Sequence, residues 1–157
     1  MNNGSGTTAS AANLSDADKK FIMEAAVGGM MEVQAGQMAS QMATNDRVKA
    51  FGQMMVNDYS KGNEQLKSLA ASKGIMLPAD IPADMKSHMD AMQKMKGKAF
   101  DQHYMSMMNT DHAKDISKFE MESKYGKDND VKNWATQMFP TLKAHKDSAA
   151  AISKMHM

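Results

Sequence analysis

Apolar residues return every three or four positions along nearly the whole chain, and no stretch alternates with the period of two that a half-buried strand needs. Val, Ile and Thr, which a sheet would favour, are sparse. A first helix is expected from about Asp16 to Ala43, with Ser15 as its N-cap and Asp18 in an acidic first turn. Its inward stripe reads Glu24, Val27, Met31, Ala35, Met38 and Met42. Thr44 or Asn45 caps a second helix that ends near Lys73, before Gly74. That helix presents Val48, Phe51, Met55, Asp58, Gly62, Leu66 and Leu69 on one face. Ile75 to Pro82 holds two of the three prolines and reads as the main loop.

A shorter helix follows from about Ala83 to Lys96, then a break at Gly97 and a long helix from Lys98 to Tyr125. A turn at Gly126 to Asp130 leads into the last helix. Pro140 must bend it, since proline has no N–H for the carbonyl of Thr136. The sum is an all-α chain whose natural solution is an antiparallel four-helix bundle with one extra short helix. Residues 1–14 read as a disordered tail rich in small and polar residues, 15–154 as a single bundle domain, and 155–157 as a flexible Met-His-Met end.

Composition changes this picture in one respect. Twenty of the 157 residues are methionine, against five each of Leu, Ile and Val. Leu and Met are similar in volume, so packing gives little reason for the exchange. Burying Met costs about 1.5–2 kcal/mol of rotamer entropy, against roughly 0.5–1 for Leu or Ile. Ten such residues would cost up to ~10 kcal/mol more, comparable with a whole domain's net stability of about 5–15 kcal/mol. Sulfur chemistry is the expected compensation. Nineteen basic and eighteen acidic residues nearly cancel and alternate, so no field favours nucleic acid or an anionic membrane. No apolar run reaches the roughly 20 residues of a membrane span. Cysteine is absent, which excludes disulfides and thiolate chemistry and suits an oxidising compartment. A periplasmic location is expected, with the export signal absent from this chain.

Three groups of residues carry candidate chemistry. In the short helix Met85, His88, Met89, Met92 and Met95 fall within one arc of about 120°, with no Leu, Ile, Val or aromatic residue in that helix. Thioethers and imidazole at this spacing can share a soft ion, Cu(I) or by the same softness Ag(I). The same stripe also suits adaptable core packing or a protein-docking surface. On the long helix Asp101, Met105, Met108, His112 and Phe119 form one line, facing Glu24, Met31, Met55, Asp58, Met138 and His145 from other helices. That line reads either as a hydrogen-bonded network or as a metal site with one or both histidines. Met155, His156 and Met157 form a third, looser group, while His103 and Met107 point away from the inward stripe. No Glu-x-x-His repeat, nucleophile elbow, phosphate loop or H-E-x-x-H occurs.

These residues together resemble the bacterial domain-of-unknown-function family 4142 over about Ser15 to Ile152. The resemblance rests on Asp18-x-x-Phe21, Glu32, Val48-x-x-Phe51 with Met55 and Asp58, and Leu66-x-x-Leu69-Ala70 with Gly74 and Pro78. It continues in Phe100-Asp101-x-x-Tyr104, Met108-x-x-x-His112 and Phe139-Pro140-x-Leu142-x-x-His145. It implies a ferritin-like bundle in the cell envelope and no established activity. Two departures stand out: Asp58-Tyr59 replaces the family's usual Asp-His, and many Leu, Ala or Gln positions hold Met.

The reading that follows is a non-enzymatic periplasmic protein binding Cu(I) or Ag(I) for storage, buffering or transfer. Its candidate ligands are Met31, Met38, Met42, Met85, His88, Met89, Met92, Met95, Met105, Met108, His112 and His145. Metal ions and copper or silver efflux or chaperone proteins are its expected partners, with neither nucleic acid nor a transmembrane segment. The alternatives are a Met-rich interaction module of the envelope and a hard-metal ferritin-like protein using His112, His145, Glu24 and Asp58.

Overall fold

The computed structural model describes residues 14–155 as five helices: α1 (Asp16–Met42), α2 (Asp46–Ser72), α3 (Ala83–Gln93), α4 (Gly97–Tyr125) and α5 (Asn129–Ser153). No strand occurs among the described residues. Leu14, expected as the end of a disordered tail, is instead buried in the core; the rest of that expected tail and the last two residues, His156 and Met157, lie outside the described residues.

Local chemistry sets the starts of three helices. The Ser15 hydroxyl accepts the Asp18 N–H at 3.0 Å. Asn45 Oδ1 accepts from Arg47 and Val48, and Asp128 Oδ1 from Asp130 and Val131. Each side chain satisfies donors that have no partner within their helix. Gly97 opens α4 with φ at 60°, a left-handed backbone that costs glycine nothing. The short helix stops at Gln93, three residues before the expected Lys96, because Lys94 and Met95 turn back onto the Ala91 and Met92 carbonyls. Helix α5 continues through Pro140, which lies on its exposed side, where water can satisfy the Thr136 carbonyl.

The long helices form two hairpins, α1 with α2 and α4 with α5, and the hairpins pack on each other. Helices α1 and α2 approach closely where Gly36 faces Gly52: a Cβ on Gly52 would stand 2.7 Å from the Gly36 carbonyl oxygen. Buried aspartates join the hairpins. Asp101 on α4 accepts from the Thr44 N–H and hydroxyl and the Asn45 N–H at 2.8–3.2 Å. Asp18 on α1 accepts from the Lys127 and Asp128 N–H groups at 2.9–3.3 Å. Each aspartate lies the same number of residues before the cap of its own hairpin's second helix, Asn45 or Asp128. The second helices also correspond, with Val48, Phe51 and Met55 answered by Val131, Trp134 and Met138 at the same spacing. The bundle is therefore built from two similar halves, each holding the other's turn.

Helix α3 lies against α1 and α4 and sends Met89 and Met92 into the core. Met55, Met105, Met108 and Met138 are buried as well, beside Ile22, Val48, Phe51, Phe100, Tyr104 and Leu142. Part of the methionine excess therefore fills the core that leucine would ordinarily fill.

Candidate functional site

The polar centre of the bundle joins α2, α4 and α5. His112 Nδ1 is 2.9 Å from the carbonyl of Met108, one turn back on α4, and can only donate to it. His112 Nε2 therefore carries a lone pair in the neutral ring. His145 Nε2 is 2.7 Å from Asp58 Oδ2 on α2, so that nitrogen carries the proton shared with the carboxylate. In the neutral ring His145 Nδ1 is then also a lone pair, and it lies 3.3 Å from His112 Nε2. Two buried acceptors face one another. The Tyr59 hydroxyl, 3.3 Å from His112 Nε2, brings one proton to this junction. One acceptor is left over, and a further proton or a metal cation would satisfy it.

Burial argues against the proton near neutral pH. It pushes the His112 imidazolium down to about 4, helped by the His145 charge and opposed by the Met108 carbonyl. His145 is also lowered, because burial outweighs the hydrogen bond and charge of Asp58. Burial likewise holds the Tyr59 phenol well above its ordinary range, so it stays a donor. Both rings are thus neutral at pH 7, with their free lone pairs converging. Two nitrogens 3.3 Å apart that share a metal at about 2.0–2.1 Å would subtend roughly 107° there, close to a tetrahedral angle.

Buried methionines lie within two turns of these residues on the same helices. Met55 is buried on α2 one turn before Tyr59. Gly62, one turn after Tyr59, leaves room for Met138: a Cβ there would meet its sulfur at 3.3 Å. Met105 and Met108 are buried on α4 in the turns before His112. The result is a buried cluster rich in His and Met. Its link to solvent is Asp58, whose side chain is 41% exposed while that of His145 is 2% exposed.

Sequence spacing placed Glu24 on the inner face, and the structure corrects this. Glu24 is half-buried and ion-paired with Lys20 and Lys118. Glu32 is the carboxylate inside α1, 1% exposed, with neither oxygen hydrogen-bonded. Burial, then the charges of Asp115 and Asp111, raise its pKa well above the ordinary range. Its charge is also felt at Tyr59 and Tyr104, so it lies beside the same polar centre. The signals that could have found it are the buried small residues sharing its side of α1, Gly29, Gly36 and Ala39.

The other candidate ligands are spread out. Met89 and Met92 enter the core, Met85 and Met95 are half-buried at its edge, and His88 turns outward. Met31, Met38 and Met42 are half-buried along α1. Met31 and Met85 do come together, lining with Met23, Asp111 and Asp115 a groove of about 510 Å³. Asp101, read as part of the polar line, instead holds the Thr44–Asn45 turn. Met155 packs at the end of the core and its sulfur accepts from Arg47 at 3.1 Å. Among the described residues no three His, Asp or Glu side chains converge as a metal site. No helix among the described residues is long and apolar enough to cross a membrane.

Compared with known proteins, the chain matches the family model described as Domain of unknown function (DUF4142) over residues 3–152. It belongs to the DUF4142 family. No curated protein and no solved structure matched it. In this DUF4142 chain, Tyr59 stands beside Asp58 at the polar centre.

Proposed function

We propose that this DUF4142 protein binds Cu(I) or Ag(I) in the cell envelope, for storage, buffering or transfer rather than catalysis. One observation carries the reading: the facing lone pairs of His112 and His145, 3.3 Å apart among buried methionines. Imidazole and uncharged thioether suit a soft monovalent ion, whereas Mg, Ca and Mn prefer oxygen. A monovalent ion also brings less charge into the bundle than a divalent one, so its burial costs less. The ion takes the place of the missing proton, and no carboxylate need move. Asp58 keeps the His145 ring in the tautomer that turns Nδ1 inward, the usual part of a carboxylate behind a ligating histidine. The exposed edge of Asp58 marks the side from which the junction is closest to solvent.

The test is anaerobic titration with Cu(I) against a competing chelator, repeated with Ag(I) and Mn(II). The reading expects at least one equivalent of each soft ion bound and no Mn(II). Less than one equivalent of Cu(I), or equal uptake of Mn(II), overturns it. Copper or silver efflux and chaperone proteins are the partner class that such a role implies.

A further inference from the structure

A second pair of imidazoles meets on the outside of the molecule. His88 on α3 and His103 on α4 bring their Nε2 atoms to 3.2 Å, with ring centroids 5.1 Å apart and planes tilted by 35°. His88 is exposed and His103 half-buried, so neither ring needs to be stripped of water before a ligand arrives. In the metal-free pair one Nε2–H donates to the other Nε2. When a metal ion binds, that ring shifts to the tautomer with its proton on Nδ1, exchanged through solvent, and both Nε2 lone pairs are used. Two nitrogens 3.2 Å apart that share an ion at about 2.0–2.1 Å would subtend roughly 103°.

We propose that His88 and His103 form a surface site for an imidazole-preferring divalent cation, Cu(II), Ni(II) or Zn(II), which fastens α3 to α4. The donor set separates this site from the buried one. Its open positions face solvent and are completed by water, since no third His, Asp or Glu joins the pair among the described residues. Water and imidazole together favour a borderline divalent ion over Cu(I). On α4, Met107 and Asp111 follow His103 at successive turns, and Asp111 lies near enough to His88 to feel its charge. An acidic neighbour attracts a divalent ion to this edge. The consequence is mechanical: α3 is short, its N-cap Pro82 offers no side-chain hydrogen bond, and a bridging ion would clamp it to the bundle.

The experiment is calorimetric titration of the full chain with Ni(II), with the histidine ring signals followed by NMR. It compares the wild type with His88→Gln, His103→Gln, His145→Leu and His156→Ala. The expected result is one binding event in the wild type, lost in His88→Gln and in His103→Gln, and kept in His145→Leu and His156→Ala. Ni(II) should also raise the Tm of the wild type and leave that of His88→Gln unchanged. Absence of binding in the wild type overturns the proposal. So does persistence in both surface variants, or loss in His145→Leu or His156→Ala, which would place the ion in the core or on the tail. Both surface positions lie outside the core, and unchanged circular dichroism confirms that the variants fold. The Cu(I) titration of the buried cluster is read separately, so either site can fail alone.

Discussion

His112 Nε2 and His145 Nδ1 face each other at 3.3 Å inside the bundle, each turned inward by a partner on its far side. The Met108 carbonyl fixes one ring and the Asp58 carboxylate the other. The junction is short of one positive charge, and the surrounding thioethers favour a soft ion to supply it.

Tyr59 decides how selective that junction is. Its phenol gives His112 a hydrogen bond but is held protonated by burial, so it is a poor ligand. Tyr59→His should add a third imidazole and admit borderline divalent ions. Co(II) added to this variant is expected to give visible ligand-field bands that His145→Leu in the same background removes. A featureless spectrum would show that the third ring does not reach the junction.

Asp101 is 1% exposed and its carboxylate collects two backbone N–H groups and one hydroxyl from the α1–α2 turn. Asp101→Asn keeps the shape but replaces an acceptor oxygen by an amide that points at donors. Hydrogen bonds to a charged group contribute about 1.5–3 kcal/mol each; with its oxygen in the Oδ2 position Asn keeps those from Asn45 N–H and the Thr44 hydroxyl in weaker form and turns its amide toward Thr44 N–H. Urea unfolding should show a loss of about 2–3 kcal/mol. A change below ~0.5 kcal/mol, the level of an ordinary surface substitution, would mean the turn holds without it.

Glu122 couples the other turn to pH. Burial first, then the hydrogen bond and charge of Asp18, push its pKa from 4.5 up to about 8. The protonated carboxyl donates to Asp18, whose own pKa is lowered because this bond and the Asp128 and Lys127 amides outweigh burial. A raised folded pKa means that the contribution of Glu122 is complete below about 4.5 and is lost as pH rises through about 8. Glu122→Gln keeps a donor and cannot ionise. Its urea midpoint should match the wild type near pH ~5 and exceed it near pH ~9. Parallel profiles would contradict the assignment.

Much of this architecture was legible in the chain itself. Helix order, the Ser15 and Asn45 caps, the break at Gly97 and the inward line Met105–Met108–His112 follow from local spacing and cap chemistry. The inner face of α1 was misplaced because methionines flank it: their long side chains reach the core from half-buried positions such as Met31 and Met38. The true seam is made of Ile22, Ala26, Gly29, Glu32 and Gly36, where small residues let α2 approach. Contacts that depend on how distant elements dock could not be read from spacing. Asp18 with the Lys127–Asp128 turn is one; His88 with His103 is another, since it depends on the path of the connection between α3 and α4.

The most direct test is the Cu(I) affinity of His145→Leu against the wild type, measured by chelator competition across pH, with melting curves to confirm folding. The account predicts a loss of more than ~100-fold at the tightest site, beyond the roughly 10–100-fold typical of changes behind a ligand alone. In the wild type the affinity should stay level as pH falls through about 6.5, the ordinary imidazole range, and weaken below it as His145, whose pKa burial lowers, and then His112, near about 4, take up protons. Affinity unchanged in His145→Leu, or falling in the wild type already near pH ~6.5, would contradict it.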